Sequence, residues 1–428
     1  MMKEYFVEPD LEFVESLVDP YGPIKAVSTF RSQFDPDLFL VSARYGEFGQ
    51  SACACGYDLA ETRLRAIVEG IERRTTARPW SAPGGVITAA SQKLDLPFLD
   101  PERYIPLDPK QAKAAALKPY SPKRKLRWVR GLAFDATTPP QLIPLDMIYY
   151  DYNSIDRLYY ANSSGVAAHF SRSRALETAV TELVERDALM RFWLTGRARD
   201  ISAYSLLPGY VEERMEFWRS QDCRLALYSL PSEYGDVVLA TITGKTWPAF
   251  SCGAAARLRC LEATVRPNSE ANLFERAVYE AEGNYVVHAN CAHEHLPPEA
   301  VRSPFEHGLF YCHPYNYALI EPVLFGLRSP FESDFPDVAP VAVQPEMLYR
   351  QLDLTYYWLT ELSGNKPSVQ VCRVFSPKLI PISFNVNLFH ARHAEVVRLC
   401  RDELKLELEG SGSVMLPEHV RKYPHFFP

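Results

Sequence analysis

The chain has 428 residues, of which 47% are hydrophobic and 12% aromatic, enough to bury the core of one to three domains. Its formal net charge of -7 argues against a nucleic-acid-binding protein of the usual basic kind. No apolar run reaches the roughly 18 residues of a membrane span, and the amino-terminal stretch lacks the apolar region of a signal peptide. Nine cysteines without framework spacing favour reduced thiols. These features predict a soluble cytoplasmic protein without a membrane or nucleic-acid partner.

The sequence of the first third of the chain predicts strands, one amphipathic helix and a surface connection. Strands are expected at 24–30 and 38–43. The stretch ETRLRAIVEGIER at 61–73 has the apolar spacing of a helix, which should end near Ala77 because Pro79 disfavours helix in the residue before it. Residues 79–125 are rich in proline and lysine and predict a surface connection with a small helix at 109–117.

The rest of the chain predicts two more polar helices among strands. The second amphipathic helix is RALETAVTELVERDALMRFW at 174–193, which follows the small-residue turn YYANSSGVAAHF, and the third contains LFERAVYEA at 273–281. Residues 296–350 are rich in proline and aromatic residues and are expected to be irregular. Further strands are expected at 126–134, 142–152, 224–229, 236–243 and 369–375, and further helices at 211–219, 351–363 and 390–408.

The first two polar helices share the pattern Glu-x-x-Glu-Arg, which places two carboxylates on one helix face. The residues are Glu69, Glu72 and Arg73 in the first helix and Glu182, Glu185 and Arg186 in the second. Four clustered carboxylates repel one another unless cations neutralise them, and oxygen ligands beside a substrate phosphate suit Mg²⁺. The arginines, with Arg276 of the third helix, have the forked donors that suit phosphate oxygens. The pattern predicts an ATP site, although one such helix alone is more often a solvated surface.

The order of these elements resembles the YcaO family, ATP-dependent enzymes that activate backbone amides in ribosomally made peptides. The resemblance rests on IVEGIERR, NSSGVAAHFSRSRALETAVTELVERDA and LFERAVYEA, and it spans residues 56–282 and then the C-terminus. It implies an α/β (α+β) fold of mixed sheets and helices, in which the four glutamates bind magnesium ions that bridge ATP. It also implies that Arg186, Arg276 and Glu280 contact phosphate or metal, and that Asn162 and Ser163 line the nucleotide pocket.

The chain departs from the family pattern in both glutamate motifs. The Gly-Lys-Gly turn of the family is Ala-Cys-Gly at 54–56, and Arg65 replaces a serine four residues before the first metal glutamate. Phe170 replaces an asparagine of the second motif, and Arg174 replaces an acidic residue. The two extra arginines either clamp phosphate or fill the site of a non-catalytic scaffold that binds peptide or partner. The intact glutamates favour activity.

The C-terminal residues bear on the reaction. Azoline-forming YcaO enzymes typically end in alternating prolines whose terminal carboxylate reaches the active site, and the end of this chain, PHFFP at 424–428, is similar. Prolines make such a tail stiff, whereas the alternative is a frayed terminus. The resemblance implies an ATP-dependent cyclodehydratase subunit that forms thiazolines or oxazolines in a precursor peptide, with the Pro428 carboxylate orienting the substrate or accepting a proton. Thioamide or amidine formation is the alternative within the family.

The expected organisation is a single catalytic unit over 1–428. Its parts are the first Glu-pair unit at 1–78, the connection at 79–125, the second and third polar helices at 126–290, and a C-terminal part at 291–428. Because no peptide-recognition module precedes the first Glu-pair helix, we expect a partner that binds the leader peptide. An FMN-dependent azoline dehydrogenase would join it if azoles are the product.

A second possible metal site lies in the C-terminal part. Thiolate and imidazole are the ligands that zinc prefers, and the residues of those types are Cys291, His293, His295, Cys312 and His313. Their spacing is not that of a standard zinc motif, so structural roles are the favoured interpretation.

Overall fold

The computed structural model describes residues 11–46, 49–77, 85–107, 109–133, 140–150, 157–203, 207–260, 269–291, 295–325, 343–360, 368–384, 390–407 and 415–428. Within these ranges the chain forms fourteen strands in four small sheets and thirteen helices. The predicted mixed α+β class is therefore confirmed. Contacts divide the chain into two compact units, which are Met1–Tyr104, Leu117–Glu182 and Asp353–Pro377 for unit 1, and Ile105–Ala116, Leu183–Leu352 and Lys378–Pro428 for unit 2.

Unit 1 consists of three antiparallel sheets and the helices beside them. Its strands are β1 (Ala26–Arg31), β2 (Phe39–Arg44), β3 (Ser51–Gly56), β4 (Ile87–Ala90), β5 (Lys125–Arg130), β6 (Leu132–Ala133), β7 (Leu142–Pro144), β8 (Val166–His169), β13 (Thr355–Trp358) and β14 (Gln370–Phe375). Its helices are α1 (Leu11–Ser16), α2 (Leu59–Ala77), α3 (Pro101–Tyr104), α5 (Leu145–Ile148) and the first part of α6 (Arg172–Thr195). The sheet orders are β1-β2-β3, β4-β5-β7 and β6-β13-β14-β8.

Helix α2, the first Glu-pair helix, forms as predicted and ends at Ala77. Its buried side includes Ala66 and Ile67, both 0% exposed, which pack toward β2 and β3. A Cβ at Gly70 would lie 2.7 Å from Ile24 Cδ1, so this glycine allows the helix to approach its neighbours closely. The packing fixes the rotation of α2 about its axis and thereby the direction in which its glutamates point.

Three expectations for this part of the chain are corrected. Strand β7 ends at Pro144 and helix α5 follows, where one long strand was expected. Residues 355–358 form a strand rather than a helix, because β13 pairs with β6 and β14 and this pairing outweighs local preference. The expected surface connection contains strand β4, helix α3 and the buried residue Leu99, so it also contributes to a core.

Unit 2 is built on one antiparallel sheet with helices beside it. Its strands are β9 (Arg199–Asp200), β10 (Arg224–Leu230), β11 (Gly235–Thr243) and β12 (Phe250–Leu258), in the order β12-β11-β10-β9. Its helices are α4 (Pro109–Ala114), the second part of α6, α7 (Gly209–Ser220), α8 (Ser269–Ala289), α9 (Pro304–Cys312), α10 (Pro314–Phe325), α11 (Pro345–Gln351), α12 (Ala394–Asp402) and α13 (Glu418–Lys422).

Helix α8 and strand β12 pack together without room for a side chain at their crossing. A Cβ at Gly253 would lie 2.3 Å from the backbone nitrogen of Ala281, so only glycine fits there. The facing residues Ala277 and Val278 are 0% exposed. The predicted third polar helix is thereby held against the sheet along its apolar face.

The expectation that residues 296–350 are irregular is wrong for three segments, α9, α10 and α11. Each begins at a proline, which is tolerated in the first turn because the missing N–H is not needed there. Helix α9 also has a capping box, in which Ser303 Oγ accepts from the Glu306 N–H and the Glu306 carboxylate accepts from the Ser303 N–H. That signal was present in the sequence.

Candidate functional site

Three of the four predicted metal glutamates lie in unit 1, and each is held by a donor of the protein. The Glu69 carboxylate accepts from Arg73 Nη2 at 3.0 Å, and the Glu182 carboxylate accepts from the Gly165 N–H at 2.9 Å. The Glu72 carboxylate accepts from the backbone N–H of Ala168. Two carboxylates from different helices are therefore tied to the same short segment, the turn before β8 and β8 itself.

The electrostatics of this cluster are those of crowded carboxylates. Burial raises the pKa of Glu72 well above its ordinary value, and the neighbouring carboxylates of Glu182 and Glu69 push it further, while Arg73 opposes them. Burial would lower the pKa of Arg73, but Glu69, Glu72 and Glu182 raise it above its ordinary value instead. Arg73 therefore offsets part of the negative charge of these carboxylates.

The turn that precedes β8 contains both residues predicted to line the nucleotide pocket. Asn162 Oδ1 accepts from the Ser164 N–H at 3.0 Å, and the Ser163 carbonyl accepts from the Val166 N–H at 3.0 Å. Both predicted residues are partly exposed. This Asx turn presents the Gly165 N–H to Glu182, so the turn and the carboxylate are positioned together.

Arg373 is a residue of this region that the sequence analysis missed. It lies on β14, is 3% exposed, and donates from Nη1 to the carbonyls of Ile148 at 3.1 Å and Asn162 at 2.6 Å. Burial lowers its pKa to about 10, although nearby acidic groups, Glu182 among them, oppose that shift. The available signal was a single charged residue in an otherwise apolar strand, since arginine is rarely fully buried without a specific role.

The donor chemistry of unit 1 fits magnesium, because carboxylate oxygens are its preferred protein ligands. Across the described residues, however, no three carboxylate, imidazole or thiolate groups converge as a ready metal-binding set. Each glutamate points instead to the protein donor named above. Glu69, Glu72 and Glu182 would have to exchange those donors for a cation.

In unit 2 the second glutamate of α6 and the arginine after it lie near the C-terminal tail, residues 424–428. Glu185 is 8% exposed. Arg186 Nη1 donates to the backbone oxygen of Pro428 at 3.5 Å, and its guanidinium carbon lies 4.5 Å from the ring centroid of Phe427. Phe426 and Phe427 are 0% exposed, so the alternative of a frayed terminus is wrong.

The third polar helix contributes one anchored and one exposed residue. Glu280 accepts from the Ala254 N–H of β12 at 2.9 Å, an arrangement made possible by the close approach at Gly253. Arg276, one turn earlier on α8, is exposed. Glu282 on the same helix is instead structural, since it is 0% exposed and pairs with Arg214 at 2.6 Å.

The two arginines that depart from the family pattern contact nearby residues of their own unit. Arg65 is exposed and donates from Nη1 to the Cys55 carbonyl at 3.3 Å. Arg174 pairs with Glu177 at 3.3 Å along α6. Neither contact involves one of the predicted metal glutamates.

Among the described residues no three of the possible zinc ligands converge as a metal-binding set, and His293 lies outside the described residues. The Cys312 thiol is buried and contacts the Gly308 carbonyl at 3.2 Å, and the Cys291 thiol contacts the Val287 carbonyl at 3.3 Å. The rings of His295 and His313 are 5.1 Å apart. Among the helices formed by the described residues, none has the length and apolar character needed to cross a membrane.

A mixed α+β fold with crowded carboxylates on two helices is the arrangement that the sequence resemblance implied, and a family comparison agrees. The family model described as YcaO cyclodehydratase, ATP- and Mg²⁺-binding, matches residues 53–379, more than half of the chain. The chain belongs to the YcaO family, which confirms the resemblance seen in its motifs and the predicted cofactors ATP and Mg²⁺. A search of curated proteins returned no match.

Solved structures share the fold at low sequence identity. A heterocyclase in complex with substrate and cofactor has a TM-score of 0.70 at 15% identity over 95% of this chain, which spans 56% of that protein's chain. YcaO from Methanopyrus kandleri, bound with AMPPCP and Mg²⁺, has a TM-score of 0.60 at 16% identity, covering 89% and 92% of the two chains. The E. coli microcin synthetase McbBCD complex with pro-MccB17 bound has a TM-score of 0.62 at 16% identity, covering 94% and 96%.

Proposed function

We propose that the chain is an ATP-dependent cyclodehydratase subunit that forms thiazolines or oxazolines from Cys, Ser or Thr of a ribosomal precursor peptide. The observation that carries the proposal is the attachment of Glu72 and Glu182, from two helices, to the segment that also carries Asn162 and Ser163. The turn proposed to line the nucleotide pocket and two carboxylates proposed to bind magnesium are thereby held by the same segment of chain. Family membership supplies the reaction class.

Glu69, Glu72 and Glu182, with Glu185 one turn further along α6, are proposed as the magnesium ligands. Bound magnesium would neutralise the charge on the phosphate oxygens of ATP. The protein's own part is to hold the carboxylates against the Gly165 and Ala168 N–H groups until a cation arrives. Arg73 would then leave Glu69 and become available to a phosphate oxygen.

In the proposed reaction the side chain of the peptide attacks the preceding carbonyl carbon and loses its proton. This attack closes the ring, and the former amide oxygen takes the terminal phosphoryl group of ATP as ADP leaves. Phosphate then departs and the nitrogen loses its proton, which forms the C=N bond of the azoline. We propose Arg186, Arg276 and Glu280 as phosphate or metal contacts and the terminal group of Pro428 as the one that orients the peptide or accepts a proton. Preorganised charges of this kind stabilise the transferring phosphoryl group without reorganisation.

The proposed partners follow from the reaction. A precursor peptide is the substrate, and a protein that binds its leader would deliver it, with an FMN-dependent dehydrogenase required only for azoles. The fold is shared with a synthetase complex solved with pro-MccB17 bound, which supports a multi-subunit arrangement.

Calorimetry of ATP binding on the wild-type chain, with and without Mg²⁺, tests the proposal. Glu182→Gln and Glu69→Gln are expected to weaken magnesium-dependent binding by at least tenfold, because each removes one charged oxygen ligand. Glu213→Gln is the matched control, since Glu213 is an exposed carboxylate of a Glu-Glu-Arg sequence on α7. A precursor-peptide assay for loss of water by mass spectrometry then tests the reaction.

The alternatives predict other results of the same experiments. A scaffold in which the extra arginines Arg65 and Arg174 fill the site would bind no ATP with or without magnesium. Thioamide formation would retain ATP binding but would raise the mass of the peptide, because a sulfur atom replaces an oxygen atom. An amidine formed with an amine of the same peptide loses 18 mass units as an azoline does, so fragmentation of the product must locate the loss at a Cys, Ser or Thr residue rather than at the amine.

A further inference from the structure

The tail is held through its backbone, residue by residue, by side chains of unit 2. Tyr311 donates its hydroxyl to the Pro424 carbonyl, and His307 Nδ1 donates to the His425 carbonyl at 2.9 Å. The Cys252 thiol donates to the Phe426 carbonyl at 3.7 Å. These contacts fix the path of the tail independently of its prolines.

Two adjacent phenylalanines of the tail have the same burial but different neighbours. The ring of Phe426 packs edge-on against Phe192 at 5.5 Å and Phe250 at 6.2 Å, which are core residues. The ring of Phe427 faces the guanidinium of Arg186 at 4.5 Å, a cation–π geometry. The second ring therefore contacts a residue with a predicted role in the reaction.

We propose that Phe427 is a positioning residue that holds Arg186 in the orientation needed to contact ATP. The inference rests on the proposed function, because it assumes that Arg186 acts on phosphate. It deepens the role of the tail, which then positions the arginine as well as presenting Pro428.

The physical argument starts from the length of the arginine side chain. A side chain with four rotatable bonds loses conformational entropy when it is fixed. A ring that burial already holds in place can fix the arginine before ATP binds, so that less entropy is lost on binding. An aromatic face attracts the guanidinium yet takes up none of its N–H donors, which remain in its plane. A leucine of similar bulk at position 427 would fill the space without attracting the cation.

The test compares Phe427→Leu, Phe427→Tyr and the matched control Phe426→Leu in the full chain. Binding of ATP with Mg²⁺ is measured by calorimetry, and thermal unfolding is measured for each variant. We expect Phe427→Leu to weaken ATP binding about tenfold, which is the effect of a desolvated cation–π contact. Phe426→Leu should lose comparable stability, since both rings are 0% exposed, but keep its affinity within threefold.

Phe427→Tyr separates affinity from stability. It retains the ring face but places a hydroxyl in a buried site, so its melting temperature should fall while its ATP affinity stays within threefold of wild type. Equal losses of affinity in Phe427→Leu and Phe426→Leu would overturn the positioning role, as would full affinity in Phe427→Leu. If the wild-type chain itself binds no ATP with magnesium, the proposed function has failed, which is a different result.

Discussion

The carboxylate cluster of unit 1 and the C-terminal tail of unit 2 use the backbone in opposite ways. Around Glu72 and Glu182 the backbone donates N–H groups and the side chains accept. Along the tail the backbone carbonyls accept and side chains such as His307 and Tyr311 donate. The first arrangement orients negative oxygen atoms that a cation can use, whereas the second fixes a segment of chain.

The two regions also differ in how burial affects the free energy of folding. The tail buries neutral aromatic rings, which stabilises unit 2. The cluster holds several carboxylates close together, which raises the pKa of Glu72 and disfavours its charged form. We therefore expect substitutions in the tail to act mainly on stability and substitutions in the cluster to act mainly on ligand binding.

The largest expected effect is on stability, in the variant Phe426→Ala. Removing a fully buried ring that packs on Phe192 and Phe250 should lower the free energy of unfolding by about 3–5 kcal/mol. Urea unfolding followed by tryptophan fluorescence measures it. Phe30→Ala is the control, because Phe30 is 59% exposed on β1 and should cost far less. A small effect of Phe426→Ala would mean that the tail is not part of the core.

A smaller loss of stability is expected for Arg373→Met. This variant tests whether substitutions near the carboxylate cluster act on ligand binding as well as on stability. The variant leaves the carbonyls of Ile148 and Asn162 without the charged donor, at a cost of about 3 kcal/mol in unfolding free energy. It should also weaken ATP binding, because the turn at Asn162 loses its anchor. Arg172→Met is the control, since Arg172 anchors the same strand through Gln370 at 3.1 Å. Unchanged ATP affinity in Arg373→Met would show that the anchoring of the Asn162 turn does not contribute to nucleotide binding.

The smallest expected effect has the opposite sign, in Glu72→Gln. The pKa of Glu72 is raised above 4.5 on folding, so its contribution to stability is present below pH 4.5 and is lost as the pH rises through the folded pKa. At pH 8 without magnesium the neutral variant should be more stable than wild type, because it removes the cost of ionising a buried carboxylate beside like charges. Thermal unfolding as a function of pH measures it.

Magnesium and ATP should reverse the order of the two proteins, since the ligands stabilise only the chain that binds them. Glu61→Gln is the control, because Glu61 is exposed on the same helix. A Glu72→Gln variant that is less stable than wild type at pH 8 would contradict the crowding of the carboxylates.

The sequence predicted the elements that have strong periodicity and missed those that depend on partners. Helices α2, α6 and α8 were found because their apolar residues recur at helical spacing. Strand β13 was mistaken for helix, since its extended form comes from pairing with β6 and β14. Strand β12 was not predicted, because it is buried on both faces and its small residues show no alternation.

The site residues also divide into those that local spacing predicts and those that depend on tertiary contacts. The spacing of Glu69 and Glu72 on α2 could be read from the sequence, because residues three apart on a helix lie on one face. The backbone donors could not be read from the sequence, since the N–H groups of Gly165 and Ala168 reach Glu182 and Glu72 only when β8 is in place. Arg373 and Phe427 were missed for the same reason, because nothing local to β14 or to the tail shows what each side chain faces.

The sequence by itself determined the family, the glutamate and arginine motifs and the helices that carry them, all of which depend on residues close together in the chain. The tertiary structure decided which backbone N–H holds each carboxylate, that a buried arginine anchors the Asn162 turn, and that the tail lies in the core of unit 2. Those contacts join residues far apart in sequence, such as Arg186 and Pro428. Only the folding of the chain brings such residues within the few ångströms over which hydrogen bonds and ring contacts act.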